Sequence, residues 1–194
     1  MKRCFSIIII TLCFLSTKAQ TLSYEDFKKI IPLLEKEDWK NAYNQSEKLL
    51  ASSKKDTSNF RAIILYANIL SAAGMVTENS MSYKEIEKNL MKYMGQKIIF
   101  SSHPITEKEG SLNCVQFSDP KLATSAFITA TNKRGINILC FEKIVFKHPV
   151  KPSDFAGSFV RCGGILDKIE FNPNKSLIWI SRLSVKEGFA NAVN

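Results

Sequence analysis

The chain is poor in the residues that catalysis and metal binding usually draw on. Its 194 residues include only 2 histidines. Both precede proline, at His103-Pro104 and His148-Pro149, which biases their backbone to extended or turn conformations. Neither histidine belongs to an HExxH pair and no cysteines stand at metal-ligand spacing, so the pattern supplies no zinc site. Glycine is scarce, at 8 residues, and none of it forms a phosphate-cradling loop; GxSxG and the kinase signatures are missing as well. Cys162, beside Gly163 and Gly164, would need an adjacent base to act as a nucleophile, and a strand cysteine next to a bend is the simpler account. The residues therefore predict a non-enzymatic protein with no cofactor and no metal.

Long apolar runs are also few. The first lies within residues 4–15, after Lys2 and Arg3, and is followed by Thr17 and Ala19. A basic start, an apolar stretch and a small-residue exit are the three parts of a secretory signal, with cleavage expected near Ala19. The run falls short of the about 20 apolar residues that span a bilayer, and Cys13 follows Ile10, Thr11 and Leu12 rather than the small residues of a lipoprotein site. No second apolar segment of spanning length is read downstream. The expectation is an exported protein, periplasmic or secreted, without a stable membrane span after cleavage. Lys2, Arg3 and Lys18 account for three of the +9 formal charges, leaving +6 on residues 20–194. Such a surplus favours acidic partners or surfaces, and says nothing of fold. Cys114, Cys140 and Cys162 remain, so either one disulfide or a set of small apolar core residues is open to them.

Apolar periodicity changes near Gly95 and divides the rest into a helical region, residues 20–95, and a strand-rich region, residues 96–194. In the first, Ser23 and Asp26 form a short capping box ahead of the stripe Phe27, Ile30, Ile31 and Leu34, with Pro32 awkward inside it. A second helix starts near Asp38 and carries Trp39, Ala42, Tyr43, Ser46, Leu49 and Leu50. A third runs from about Phe60 and is expected to end at Gly74; a fourth runs from about Ser82 to Met94, with Gly95 past its end. The stretches LLEKEDWKNAYNQSEKLL and LYANILSAAGMVTENSMSYKEIEKNL resemble tetratricopeptide repeats. Trp39, Ala42 and Gly74 fit the family's aromatic and small positions, and the spacing from Glu37 to Gly74 is near its period of about 34. Glu37 departs from the pattern, the second turn is longer, and two units are fewer than the three or more that stable arrays generally need. The resemblance implies a concave surface for a protein or peptide, for which Tyr43, Tyr66 and Asn68 are candidate lining residues.

In the second region, residues 125–131 and 136–142 flank the loop Asn132 to Gly135 as a hairpin. A passage with Pro149, Pro152 and Asp154 allows one helical turn. Residues 158–171 predict a long strand that bends at Gly163 and Gly164, and Asn172 to Lys175 turn it into SLIWISRLSV. The segments GQKIIF, AGSFVRCGGILDKIE and SLIWISRLSV together resemble the oligonucleotide and oligosaccharide binding barrel, a five-stranded Greek-key fold. The expected class is thus α+β: two tetratricopeptide-like helical hairpins followed by a small antiparallel β-barrel. Barrels of that kind bind through one strand face and nearby loops, with aromatics stacking on rings and cations meeting phosphates. The resemblance makes Phe127, Lys133, Arg134, Phe141, Arg161 and Trp179 the ligand-binding candidates, alongside Lys143 and Phe146. Arg161 and Arg182 stand out, since a strand cation must face water or a partner. The expected function is an exported adaptor for a protein or peptide, with binding of an anionic polymer, polysaccharide or nucleic acid, as the alternative.

Overall fold

The computed structural model describes residues 21–193, so the expected export signal, residues 1–19, lies outside the described residues. The chain enters through α1 (Tyr24–Lys28) and α2 (Ile31–Glu35). Ser23 donates to the Asp26 carboxylate from its amide at 3.1 Å and from its hydroxyl at 3.0 Å. The stripe expected as one helix is broken at Lys29 and Ile30, which places Pro32 in the first turn of α2, where its missing N–H costs no hydrogen bond. Helix α3 (Trp39–Ser52) is capped by Asp38, and α4 (Asn59–Thr77) by Ser58. Ser82 and Glu85 form a capping box at the start of α5 (Tyr83–Leu90). A 3-10 turn over Met91–Tyr93 leads to Gly95, whose φ of +79° suits a residue without a side chain.

Gly74 does not end its helix. Helix α4 continues to Thr77, and a Cβ on Gly74 would lie 2.3 Å from Cδ2 of Trp39. The residue is glycine because the indole of α3 rests directly on the backbone of α4. Helix α4 is apolar on nearly all sides, as expected of a helix enclosed by other elements. It is long and apolar enough to cross a membrane by length and composition alone, contrary to the expectation of no such segment, and 78% of its apolar window is buried within the fold.

The strands are β1 (Lys97–Pro104), β2 (Val115–Phe117), β3 (Ala123–Thr131), β4 (Ile138–Val150), β5 (Phe159–Phe171) and β6 (Trp179–Val193). They form one six-stranded sheet in the order β1-β5-β6-β4-β3-β2, curled as a half-barrel. Neighbours are antiparallel except β4 and β6, which run parallel. The sheet is therefore mixed rather than wholly antiparallel, because β6 returns from the β5 hairpin to lie beside β4. At one end the two edges approach, where Ile105 bridges Val115. The bend expected at the paired glycines is present: the β5–β6 register shifts between Gly163 and Ile165, and a Cβ on Gly163 would come 2.6 Å from the Ile98 carbonyl oxygen. The passage after β4 forms the expected helical turn, Pro152–Phe155. Helix α4 packs on β1, β4 and β6, so that Ile64, Leu65 and Ile69 of the helix join Ile98, Phe100, Ile144, Val160 and Leu183 of the strands in one continuous core.

Candidate functional site

The strand alternation that turns Phe141 outward turns Cys140, Glu142 and Ile144 inward beneath α4. Glu142 is only 1% exposed, and a buried carboxylate is costly unless it is paired or protonated. The Tyr66 hydroxyl of α4 donates to Glu142 Oε1 at 2.5 Å, while Oε2 has no hydrogen-bond partner among the described residues. Burial pushes the Glu142 carboxyl up to about 8, against the lowering effect of the Tyr66 hydrogen bond. The shift favours the protonated acid, which removes the charge that burial penalises. Burial raises the Tyr66 hydroxyl well above its ordinary range, with the adjacent Glu142 charge adding to the shift. The Phe100 ring meets Tyr66 edge-on with centroids 5.2 Å apart.

Two thiols share this interior. Burial first, then the charge of Glu142, raises Cys140 well above a usual thiol and Cys162 to about 12. Ser181 donates its hydroxyl to the Leu139 carbonyl at 3.0 Å and lies 3.3 Å from Cys140 Sγ. Cys114, Cys140 and Cys162 are all free thiols, which settles the alternatives left open by the sequence: they form no disulfide with one another. A reactive cysteine needs a thiolate stabilised by nearby positive charge, and Cys162 has the opposite environment. Among the described residues no group of three or more His, Cys, Asp or Glu side chains is placed to hold a metal. The Tyr66–Glu142 pair was missed from sequence, although the period-2 pattern of β4 was the signal available for it.

The expected ligand-binding residues separate into different surroundings. Phe141 and Trp179 come together, with ring centroids 6.0 Å apart, and the Arg182 guanidinium lies 4.5 Å from the Trp179 centroid and 5.6 Å from that of Phe141. Phe127 lies apart from them on β3, 41% exposed, opposite Lys143 of β4 and Gln116 of β2. Lys133 is tied back to the helices: its amide donates to the Glu37 carboxylate and its Nζ donates to the Glu35 carbonyl at 2.8 Å. Arg134 is exposed in the same loop. Arg161 lines a groove with Lys97 and Phe189 on the far side of the sheet.

Of the expected partner-binding residues, Tyr43 is half-buried, with its hydroxyl pushed up to about 12 by burial and then by the charge of Glu47. Tyr66 and Asn68 are buried; Tyr66 backs a small groove of about 280 Å³ beside Phe60 and Ile63, and Asn68 faces α3. The reason is geometric: α3 covers one side of α4 and the sheet covers the other, which leaves only a half-buried stripe at Phe60, Ile63 and Leu70. Asn68 instead donates to Ser46 Oγ at 3.0 Å across the α3–α4 contact. Phe146, 8% exposed, belongs to the core.

An open cleft of about 760 Å³ lies between the end of β1, strand β2 and the connection from β4 to β5. Phe127 and Phe159 border it, 41% and 54% exposed. Behind them Phe117 stacks on Phe155, with centroids 5.8 Å apart and an interplanar angle of 13°. Pro104, Pro120 and Pro152 complete the apolar part of the wall, and Glu107 and Glu109 stand at its rim. No protein family, curated protein or solved structure compared with the chain matches it.

Proposed function

We propose that this chain is an exported, non-enzymatic binding protein that takes a peptide or protein segment in the cleft beside β2. The observation that carries this reading is the exposure of Phe127 and Phe159 on either side of the 760 Å³ cleft. Large aromatics kept in water at a concave surface are common anchors for a partner. Strand β2 is three residues long, pairs with β3 and is met on its other side only at Val115, by Ile105 and the Thr106 amide, so an extended peptide has the rest of that edge to meet beside the aromatic wall. The acids Glu107 and Glu109 favour a segment bearing Lys or Arg. The glycine-bent β5 favours the likeness to the oligonucleotide and oligosaccharide binding barrel, and Trp39 seated on Gly74 suits two tetratricopeptide-like pairs, α2 with α3 and α4 with α5, that meet through α3 and α4. In this reading the helices hold the sheet while the barrel end binds.

The test is capture of partners from an envelope extract by the purified protein and by a Phe127→Ala/Phe159→Ala variant. Loss of a captured band with unchanged thermal stability is the expected result; equal capture by both proteins refutes the cleft as the site. Deleting the helices is unsuitable, because they share the core of the sheet.

The alternative, an anionic polymer on the outer face, is favoured by the Arg182 guanidinium lying beside Trp179 and Phe141, an arrangement that offers stacking surface and positive charge together. Its affinity for heparin or single-stranded DNA falls steeply with salt and weakens in Arg182→Ala, while Arg161→Ala, in the separate groove with Lys97 and Phe189, leaves it unchanged. Salt-independent binding, or none, rejects it.

A further inference from the structure

A second large cleft, of about 840 Å³, opens where the α3–α4 loop, the first turn of α4, the 3-10 turn and the start of β1 converge. Its floor holds Arg61, only 8% exposed. The Arg61 Nε donates to the Ser53 carbonyl at 3.0 Å, which fixes the guanidinium. The Asp56 carboxylate is near enough for the Arg61 charge to help lower it, but among the described residues no carboxylate makes a direct ion pair with Arg61. Lys54, Lys92 and Lys97 stand at the rim. The two acids of the cleft are already engaged. Glu47 accepts from Lys92 Nζ at 2.8 Å and from the Tyr93 hydroxyl at 2.5 Å. Asp56 accepts from the Leu22 amide at 2.7 Å, the Ser58 amide at 2.8 Å and the Ser58 hydroxyl at 2.9 Å.

A buried guanidinium without a carboxylate partner is expensive, and a fixed one presents its remaining N–H donors as a planar fork suited to an oxyanion. The first turn of the 19-residue α4 borders the same cleft through Ser58, Arg61 and Ala62, which adds the positive end of a helix to the charge of Arg61, Lys54 and Lys97. The cleft is also far larger than a bare ion needs and falls in the range of small-molecule sites, about 300–1,000 Å³. We infer that this cleft binds a phosphate or sulfate ester, its oxyanion held by Arg61 and by the rim lysines Lys54 and Lys97, its organic part lying along Leu50, Ala51 and Tyr93. This site is separate from the aromatic cleft beside β2, so either can fail without the other.

The experiment is calorimetric titration of the purified protein with inorganic phosphate, inorganic sulfate, glucose 6-phosphate and glucose, in low salt. Binding of glucose 6-phosphate but not glucose is expected. An ester that binds more tightly than inorganic phosphate assigns an organic ligand, whereas equal affinity assigns the free oxyanion. Arg61→Lys, which keeps the charge and loses the fork, should weaken binding about tenfold or more. Because Arg61 also braces Ser53, a Lys54→Ala/Lys97→Ala variant at the exposed rim provides the second arm: several-fold weaker binding with an unchanged melting temperature. No binding of any of the three anions, or affinity unchanged in both variants, overturns the inference.

Discussion

Glu142 keeps its proton because the space beneath α4 offers it one hydroxyl and no cation. The consequence for stability follows from linkage. In the unfolded chain the carboxyl titrates near its ordinary 4.5 and in the folded chain near 8, so between those values the folded state holds one more proton. Stability contributed by this group is therefore full below pH 4.5 and declines as pH rises toward 8, by roughly 1.4 kcal/mol per pH unit. Urea unfolding from pH 5 to 8 should show the native protein losing stability relative to Glu142→Gln, which keeps the shape and cannot ionise; the comparison removes the opposite contribution of His103, whose imidazole burial holds below its ordinary value. An identical slope in both would refute the assignment. Gly74 makes a steric prediction: a methyl placed 2.3 Å from the Trp39 ring forces two buried helices apart, and Gly74→Ala should cost about 1–3 kcal/mol, read as a lower urea midpoint. The thiols make a third. Cys114 is the accessible one of the three described cysteines, so a thiol reagent should modify it in the native protein and reach Cys140 and Cys162 only after denaturant is added.

Helix α4 is the element on which the others depend. It touches α1, α3 and α5 on one side and β1, β4 and β6 on the other, and its residues Ile64, Leu65, Ile69, Ala72 and Ala73 are buried. Helices α1 and α2 are five residues each, too short to persist without packing. Amide hydrogen exchange should therefore separate the elements. Central α4 amides are expected to exchange only by global unfolding, and those of α1 and α2 by local opening. Fast exchange along α4 would contradict the packing described. Strands β5 and β6 owe their tight coil to Gly163, Gly164 and Gly188, each of which leaves room for a neighbouring backbone or side chain within 3 Å of where a Cβ would stand. Arg182 comes beside Phe141 through the parallel β4–β6 register, in which the two are paired, and beside Trp179 on its own strand.

At the scale of the whole molecule, helices and sheet bury one continuous core, and elements that share one core are expected to unfold together. Far-ultraviolet dichroism, which follows α4, and tryptophan fluorescence, which follows both Trp39 in the helices and Trp179 on the sheet, should give coincident urea transitions. Two separated transitions would show that residues 20–95 and 96–194 fold independently. Much of the architecture was legible in the chain. Ser23, Asp38 and Ser82 mark helix starts, Gly95 marks the end of the helical region, and Gly163-Gly164 marks the bend in β5. What was not legible depended on partners distant in sequence. Gly74 reads as a helix stop until Trp39 is laid upon it, and Tyr66 and Asn68 read as surface polar residues until the sheet covers the other side of α4. The short β2 has too few residues for any periodic pattern.

The candidate site divides in the same way. The sequence by itself determined the α+β class, the position where helices give way to strands and the supply of aromatic and basic residues, because these follow from local propensity and from apolar periodicity of 3.6 or 2. Only the tertiary structure decided which of those residues meet. It placed Phe141 and Trp179 against Arg182, opened the cleft between Phe127 and Phe159, and put Arg61 at the floor of a second one. It also turned Glu142 into a neutral acid. The physical reason is that burial, hydrogen-bond partners and local charge are properties of the space around a side chain, and residues far apart in the chain build that space.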